Sequence, residues 1–78
     1  MTEAEAIALA VARRDGLGAE GREPAHAERV IVEWPLELPP ERRLDRVAWL
    51  VRLVGEEGAT DLAIDDESGR VLRAAHSR

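Results

Sequence analysis

The residues that could do acid–base or metal chemistry are few and scattered. The chain has two histidines and no cysteine. His26 lies in a predicted loop and His76 near the end of the sequence, without the short spacing that brings two imidazoles together, so we expect no metal site from them. A short acidic cluster lacks the alternating ligands and the final glutamate of a calcium-binding loop. Its members are Asp61, Asp65, Asp66 and Glu67.

No nucleophile stands in a catalytic pattern. Ser68 lies among turn-forming residues, and no histidine nearby in the sequence could serve as its base. The pair Glu56-Glu57 falls in a predicted turn, without the apolar pocket that acid–base work requires. Three glycines between residues 16 and 21 follow a predicted helix rather than a strand, which is the wrong context for a phosphate-binding loop. The sequence therefore predicts no enzyme, no cofactor and no metal.

Charge and composition limit the partners and the location. The chain has 78 residues, with 16 acidic and 11 basic side chains and a formal net charge of −5. An acidic chain with scattered arginines repels a phosphate backbone, so nucleic acid is not expected as a partner. No apolar run approaches the ~20 residues of a membrane span, and the N-terminus shows no signal-peptide pattern. We expect a cytoplasmic protein, or an extracytoplasmic one if an export signal has been removed.

The elements that must position any site begin with a helix over about residues 3–14. Thr2 and Glu5 form the capping-box pattern, in which each side chain bonds the backbone amide of the other residue. Gly16 is the expected left-handed residue after the helix. One apolar stripe follows the i, i+3, i+4, i+7 spacing and is the predicted buried face. It consists of Ala4, Ile7, Ala8 and Val11.

Strand patterns follow a loop predicted at residues 16–27. Alternating apolar residues from position 28 predict a strand, with Val30, Val32, Trp34 and Leu36 on one face. Pro35 cannot donate to a sheet, so this strand is expected to lie at an edge or to end there. Residues 60–75 read as a hairpin, because turn-forming residues separate two extended stretches and Gly69 can adopt a positive φ.

Residues 44–54 fit two conformations. Their periodicity favours a helix, with Pro40 at its first turn, whereas three valines and a tryptophan favour a strand. The strand interpretation gives a single small α+β domain over residues 1–78, with the N-terminal helix packed on a three- to four-stranded antiparallel sheet. The alternative is a helix-strand-helix-hairpin order with residues 40–54 helical.

The segment from Ala48 to Leu72 resembles the core of a PepSY domain, a family similar to the propeptides of thermolysin-like metalloproteases. The resemblance rests on AWLVRLV, the turn GEEG and DLAIDDESGRVL, and the N-terminal TEAEAIALAVA is similar to the family's alanine-rich opening helix. It implies that residues 44–54 form a strand and that the protein is a binding module that restrains or assists a peptidase. The residues that match the family pattern are Asp65, Ser68, Gly69, Val71 and Leu72.

Binding is the function that these exclusions leave. Trp34 and Trp49 are the two largest side chains, and we expect them to be core anchors unless one is exposed at a contact surface. The edge near Val71, or the strand ending at Pro35, would dock a protein partner such as a peptidase. The alternative is a small cytoplasmic assembly protein whose sheet is completed by self-association, because the core is thin and has no disulfide.

Overall fold

The computed structural model describes all 78 residues and confirms the α+β class, with one N-terminal helix packed on a four-stranded antiparallel sheet. The strands follow one another in the order β1-β2-β3-β4, so β1 and β4 are the two edges. Short 3₁₀ turns at Asp15–Leu17 and Pro40–Arg42 interrupt the connections. The bounds are α1 Glu3–Arg13, β1 Glu23–Trp34, β2 Leu44–Gly55, β3 Gly58–Asp65 and β4 Val71–Ser77.

The start of α1 is the predicted capping box. The Thr2 amide donates to Glu5 Oε1 at 2.9 Å, and the Glu5 amide donates to Thr2 Oγ1 at 3.2 Å. The helix ends close to the predicted position, but the left-handed residue after it is Gly18, with φ of 75°, and not Gly16. The 3₁₀ turn at residues 15–17 follows the helix directly, so the left-handed residue comes after that turn, at Gly18.

The predicted buried face of α1 is wrong. Ala6 and Ala10 are fully buried, and Leu9 packs beside them. Of the predicted stripe, Ile7 and Val11 are half-buried and the other two residues, Ala4 and Ala8, are exposed. Both stripes have helical spacing and contain two alanines, so the spacing alone does not decide between them, and the face that meets the sheet is fixed by packing.

Strand β1 begins earlier than the sequence predicted. Residues 23–27 were expected to belong to a loop, but they pair with the end of β2, with an irregularity between Pro24 and His26. Pairing with a long neighbour therefore overrides the weak strand propensity of this segment. As predicted, β1 lies at an edge of the sheet and stops before Pro35, and the alternation of Val30 and Val32 is confirmed. The prediction that Leu36 continues this face is wrong, since Leu36 lies in the turn after the strand.

Residues 44–55 are a strand, so the helical alternative is wrong. β2 lies between β1 and β3 and pairs with both. Val51 and Leu53 point to the helix and are fully buried, whereas Ala48 is fully buried on the opposite face. β2 carries apolar side chains on both of its faces, so apolar residues occupy most of its positions, and that is why its pattern also fitted a helix.

The C-terminal hairpin is confirmed. β3 and β4 pair antiparallel across the turn at residues 66–70, and Gly69 has φ of 72°. A bulge near the start of β4 brings Val71 opposite Ile64, and the next regular pair joins Arg73 to Ala63.

The two faces of the sheet have different environments. We call the face under α1 the covered face, and its core consists of Ala6, Ala10, Ala19, Val51, Leu53, Leu62 and Ile64. We call the other one the open face, since no helix packs on it. β2 pairs with β1 as far as Leu44 but with β3 only from Ala48. The β1–β2 hairpin therefore projects as an arm of two strands, Ile31–Trp34 and Leu44–Val47.

Candidate protein-binding surface

The three residues predicted for a contact surface do not lie together. Trp49 is on the covered face, packs against the core and donates its indole N–H to Asp66 Oδ1 at 2.9 Å. Val71 also packs against the core, but it lines a cavity that Trp34 lines as well. Trp34 itself is half-buried on the open face, outside the core cluster. The structure thus groups Trp34 with Val71 and leaves Trp49 as a core anchor.

A cleft on the open face runs between the end of β1 and the β3–β4 turn. It consists of two adjoining cavities of about 410 and 230 Å³, which share Trp34 and Leu72. The smaller one is mainly apolar, since Val32, Leu36 and Ala63 complete its lining. The larger one is bounded by the polar residues of the turn. We call this feature the Trp34 cleft.

The polar wall of the Trp34 cleft is built on a buried carboxylate. Asp65 accepts hydrogen bonds from the Ser68 hydroxyl at 2.6 Å, from the Ser68 amide at 3.1 Å and from Arg46 at 3.2 Å. The Ser68 hydroxyl, above all, holds the pKa of Asp65 below its ordinary value, against the opposing effect of burial. All three hydrogen bonds converge on Oδ2 of the charged carboxylate, which thereby fixes the turn and the Arg46 side chain. Ser68 is the turn residue that the sequence predicted.

Two cations beside the cleft have no internal partner. Arg70 lines the larger cavity and Arg73 the smaller one. Neither guanidinium forms an ion pair or a hydrogen bond, whereas Arg46 is paired with Asp65 and Arg43 donates to backbone carbonyls near the cleft. Glu67 lines the larger cavity and Glu33 the smaller one, so Arg70 and Arg73 stand among acidic residues as the two cations free to pair with a partner carboxylate.

One hydroxyl–imidazole contact was missed by the sequence analysis. Thr60 Oγ1 lies 2.9 Å from His76 Nδ1 and also accepts a hydrogen bond from Arg22. Thr60 is fully buried, so a substrate cannot reach its oxygen, and the contact ties β4 and the loop before β1 to β3. Only the register of the β3–β4 pair, which places Thr60 opposite His76, reveals it.

The remaining chemistry-bearing groups form surface contacts. His26 lies 3.7 Å from Glu28 at an exposed position, and no group of three or more metal-ligating side chains gathers anywhere in the chain. The structure also contains no helix with the length and apolarity that a membrane crossing requires.

The arm exposes large apolar side chains. Ile31 is 71% exposed and Leu44 is 74% exposed, which are the highest values among the large apolar residues. Ile31 lies at the sheet edge, and Leu44 pairs with Trp34 at the tip of the arm. The two side chains lie on opposite faces of the arm, since Ile31 has the parity of the covered face and Leu44 that of the open face.

Comparison with protein-family models, with curated proteins and with solved structures finds no match for this chain.

Proposed function

We propose that the protein is a non-catalytic, PepSY-like protein-binding module that regulates a peptidase, and that its partner docks at the Trp34 cleft. The observation that carries this proposal is the cleft itself, a hollow on the open face whose smaller cavity is mainly apolar and which has two unpaired arginines at its rim. Tryptophan and arginine are the residue types most enriched at the centres of protein interfaces.

The fold supports the PepSY-like part of the proposal. The resemblance requires a strand at residues 44–54, an N-terminal helix and a hairpin around Asp65 and Gly69, and each of these features is present. The residues that carry the resemblance also form the cleft: Asp65 and Ser68 build its polar wall, and Val71 and Leu72 line it.

The chemistry of the cleft defines the kind of partner segment. Trp34, Val32 and Leu72 offer an apolar seat for one large side chain, and Arg70 and Arg73 can each pair with a carboxylate. A protein segment that combines an apolar side chain with neighbouring acidic residues satisfies both parts. Arginine–carboxylate pairs across an interface contribute most to binding when the partner excludes water from the rim of the cleft.

The proposal is tested with the purified chain and a panel of peptidases that includes a thermolysin-type metalloprotease. We expect the chain to bind one of them and to change its rate of casein hydrolysis. Trp34→Ala should weaken binding about thirtyfold or more, since truncation of a hot-spot residue costs at least about 2 kcal/mol. Arg70→Glu should weaken binding to the same acidic segment.

The matched control is Val54→Ala, an exposed apolar residue at the far end of β2, which should bind like the unmodified chain. Circular dichroism checks that each variant is folded. The proposal is wrong if no peptidase binds or changes in rate, or if the Trp34 and Val54 variants behave alike.

A further inference from the structure

The outer edge of β1 leaves a defined set of backbone groups without partners. The carbonyl of Val47 accepts a hydrogen bond from the Asp66 amide at 3.0 Å, so the backbone groups of Val47 point toward β3 and away from β1. In an antiparallel strand, both backbone groups of a residue point to the same side. Ile31 is paired with Val47 in register, so its own amide and carbonyl point away from β2. The same holds for Arg29 and Glu33, two residues before and after it.

Nothing within the chain covers these groups. None of the backbone hydrogen bonds outside the helix and the sheet involves residues 28–34, and no side chain bonds to their backbone. The Arg29, Ile31 and Glu33 side chains are exposed. We call the outward backbone groups of Arg29, Ile31 and Glu33 the free edge.

We propose that the free edge binds a second copy of itself, so that two chains form a symmetric dimer with a continuous eight-stranded antiparallel sheet. The two-fold axis passes through Ile31, which pairs with the partner's Ile31. Arg29 then pairs with the partner's Glu33, and Glu33 with the partner's Arg29. All six outward amides and carbonyls of each strand segment find partners in this register.

The side chains are complementary in the same register. On the covered side, Ile31 meets the partner's Ile31 between two opposite-charge pairs, Arg29 with Glu33 in each direction. On the open side, Val30 lies opposite the partner's Val32 twice. Cross-strand pairs of both kinds stabilise antiparallel sheets, whereas a shift of register by two residues would place Arg29 opposite Ile31 and lose the charge pairs.

The intrachain contacts of the two charged residues are long. Arg29 lies 4.0 Å from Asp66, and Glu33 lies 3.8 Å from Arg43. Both side chains are more than half exposed, so each is free to turn toward a partner strand. Pro35 ends β1 and has no amide proton, and it therefore confines the pairing to a short segment. A short interface of this kind places the dimer among weak, concentration-dependent complexes.

The experiment is sedimentation equilibrium of the full chain over concentrations up to about 1 mM, the upper range of weak specific association. We expect a reversible monomer–dimer equilibrium. Ile31→Lys should raise the dissociation constant at least tenfold, because it places two ammonium groups together on the axis. The matched control is Leu44→Lys, which changes an equally exposed residue of the arm that is not on the free edge and should leave the equilibrium unchanged.

Charge exchange tests the register itself. Arg29→Glu alone places the new carboxylate against the partner's Glu33, and Glu33→Arg alone places the new guanidinium against the partner's Arg29. Each single variant should therefore be monomeric. A mixture of the two single variants restores both opposite-charge pairs and should dimerise, as should the double variant. These substitutions lie on exposed residues, and circular dichroism confirms their folding.

The proposal is overturned by a chain that stays monomeric at all concentrations, by an Ile31→Lys variant that dimerises normally, or by single charge variants that do not recover on mixing. None of these results depends on the peptidase assay. Failure of the dimer would leave the Trp34 cleft as a binding site, and failure of the cleft would leave the edge pairing.

Discussion

The covered and open faces of one sheet are built differently although they share the same strands. On the covered face, aliphatic side chains such as Leu53 and Leu62 are fully buried under a helix that presents only alanines at its closest approach. On the open face, apolar residues such as Trp34 and Leu50 remain half-buried among arginines and acids. Stability is therefore concentrated on the covered face, which leaves the open face and the free edge available for partners.

The largest expected effect is the removal of a core side chain. Leu62→Ala should lower the free energy of unfolding by about 2–5 kcal/mol, because it leaves a cavity between α1 and the sheet. Leu50→Ala makes the same change on the open face and should cost less than about 1.5 kcal/mol, since that residue is only half-buried. Urea denaturation followed by tryptophan fluorescence measures both.

A milder substitution on the covered face, Ile64→Val, can be used if Leu62→Ala does not fold. Ile64→Val should cost about 0.5–1.5 kcal/mol at a fully buried site. Equal losses at Leu62 and Leu50 would contradict the division of stability between the two faces.

The second expected effect concerns the close approach of α1. Ala6→Leu should destabilise the protein by about 1–3 kcal/mol, because Ala6 is fully buried against the sheet and a larger side chain must displace the helix. Ala8→Leu is the control, since Ala8 is exposed and its replacement should lie within about 0.5 kcal/mol of the unmodified chain. Thermal or urea unfolding measures both variants. A larger loss of stability for Ala8→Leu than for Ala6→Leu would show that the helix packs on the sheet through the stripe that contains Ala8.

The third expected effect is a loss of stability in acid that results from protonation of the Asp65 carboxylate. Its hydrogen bonds, chiefly from Ser68, hold the pKa of Asp65 below the ordinary value of 3.8. Because the folded-state pKa is the lower one, this contribution to stability is present above about pH 4 and is lost as the pH falls through the folded-state value. Asp65→Asn should therefore flatten the pH dependence of unfolding below pH 4.

The control for this measurement is Glu67→Gln, in the same turn. The Glu67 carboxylate forms no hydrogen bond or ion pair, so its variant should keep the acid dependence of the unmodified chain. If the Asp65 and Glu67 variants lose stability along the same curve, the Asp65 network does not stabilise the turn.

The smallest expected effect is at the charge pair of the open face. Arg52 donates to both carboxylate oxygens of Asp61, at 2.8 and 2.9 Å, and the side chains are 51% and 28% exposed, so the pair lies at the surface. A double-mutant cycle with alanine at both positions should give a coupling of about 0.2–1 kcal/mol that decreases with added salt. A coupling well above that range would mean that open-face polar contacts stabilise the fold as strongly as covered-face packing.

The sequence predicted those features that depend only on residues close together in the chain. The capping box at Thr2 and Glu5 and the positive φ of Gly69 depend on a few neighbouring residues, and both were predicted. The same holds for the end of β1 at Pro35, where a missing amide proton is decisive.

Features that depend on what lies across the sheet were not predictable. The buried stripe of α1 and the early start of β1 are decided by their packing partners, and the sequence pattern fitted more than one answer. The conformation of β2 was left open for the same reason. The Trp34 cleft and the Thr60–His76 contact join residues far apart in the chain, so only the strand order and register bring them together.

The most direct measurement is amide hydrogen exchange, resolved by residue, at low and high protein concentration. In dilute protein, the amides of Arg29, Ile31 and Glu33 should exchange fast, while those of Val30 and Val32, which bond to β2, should be protected. At high concentration the three outward amides should become protected as well. Protection of all these amides in dilute protein, or exchange of the outward three that never slows, would contradict the account of a covered core and a free edge.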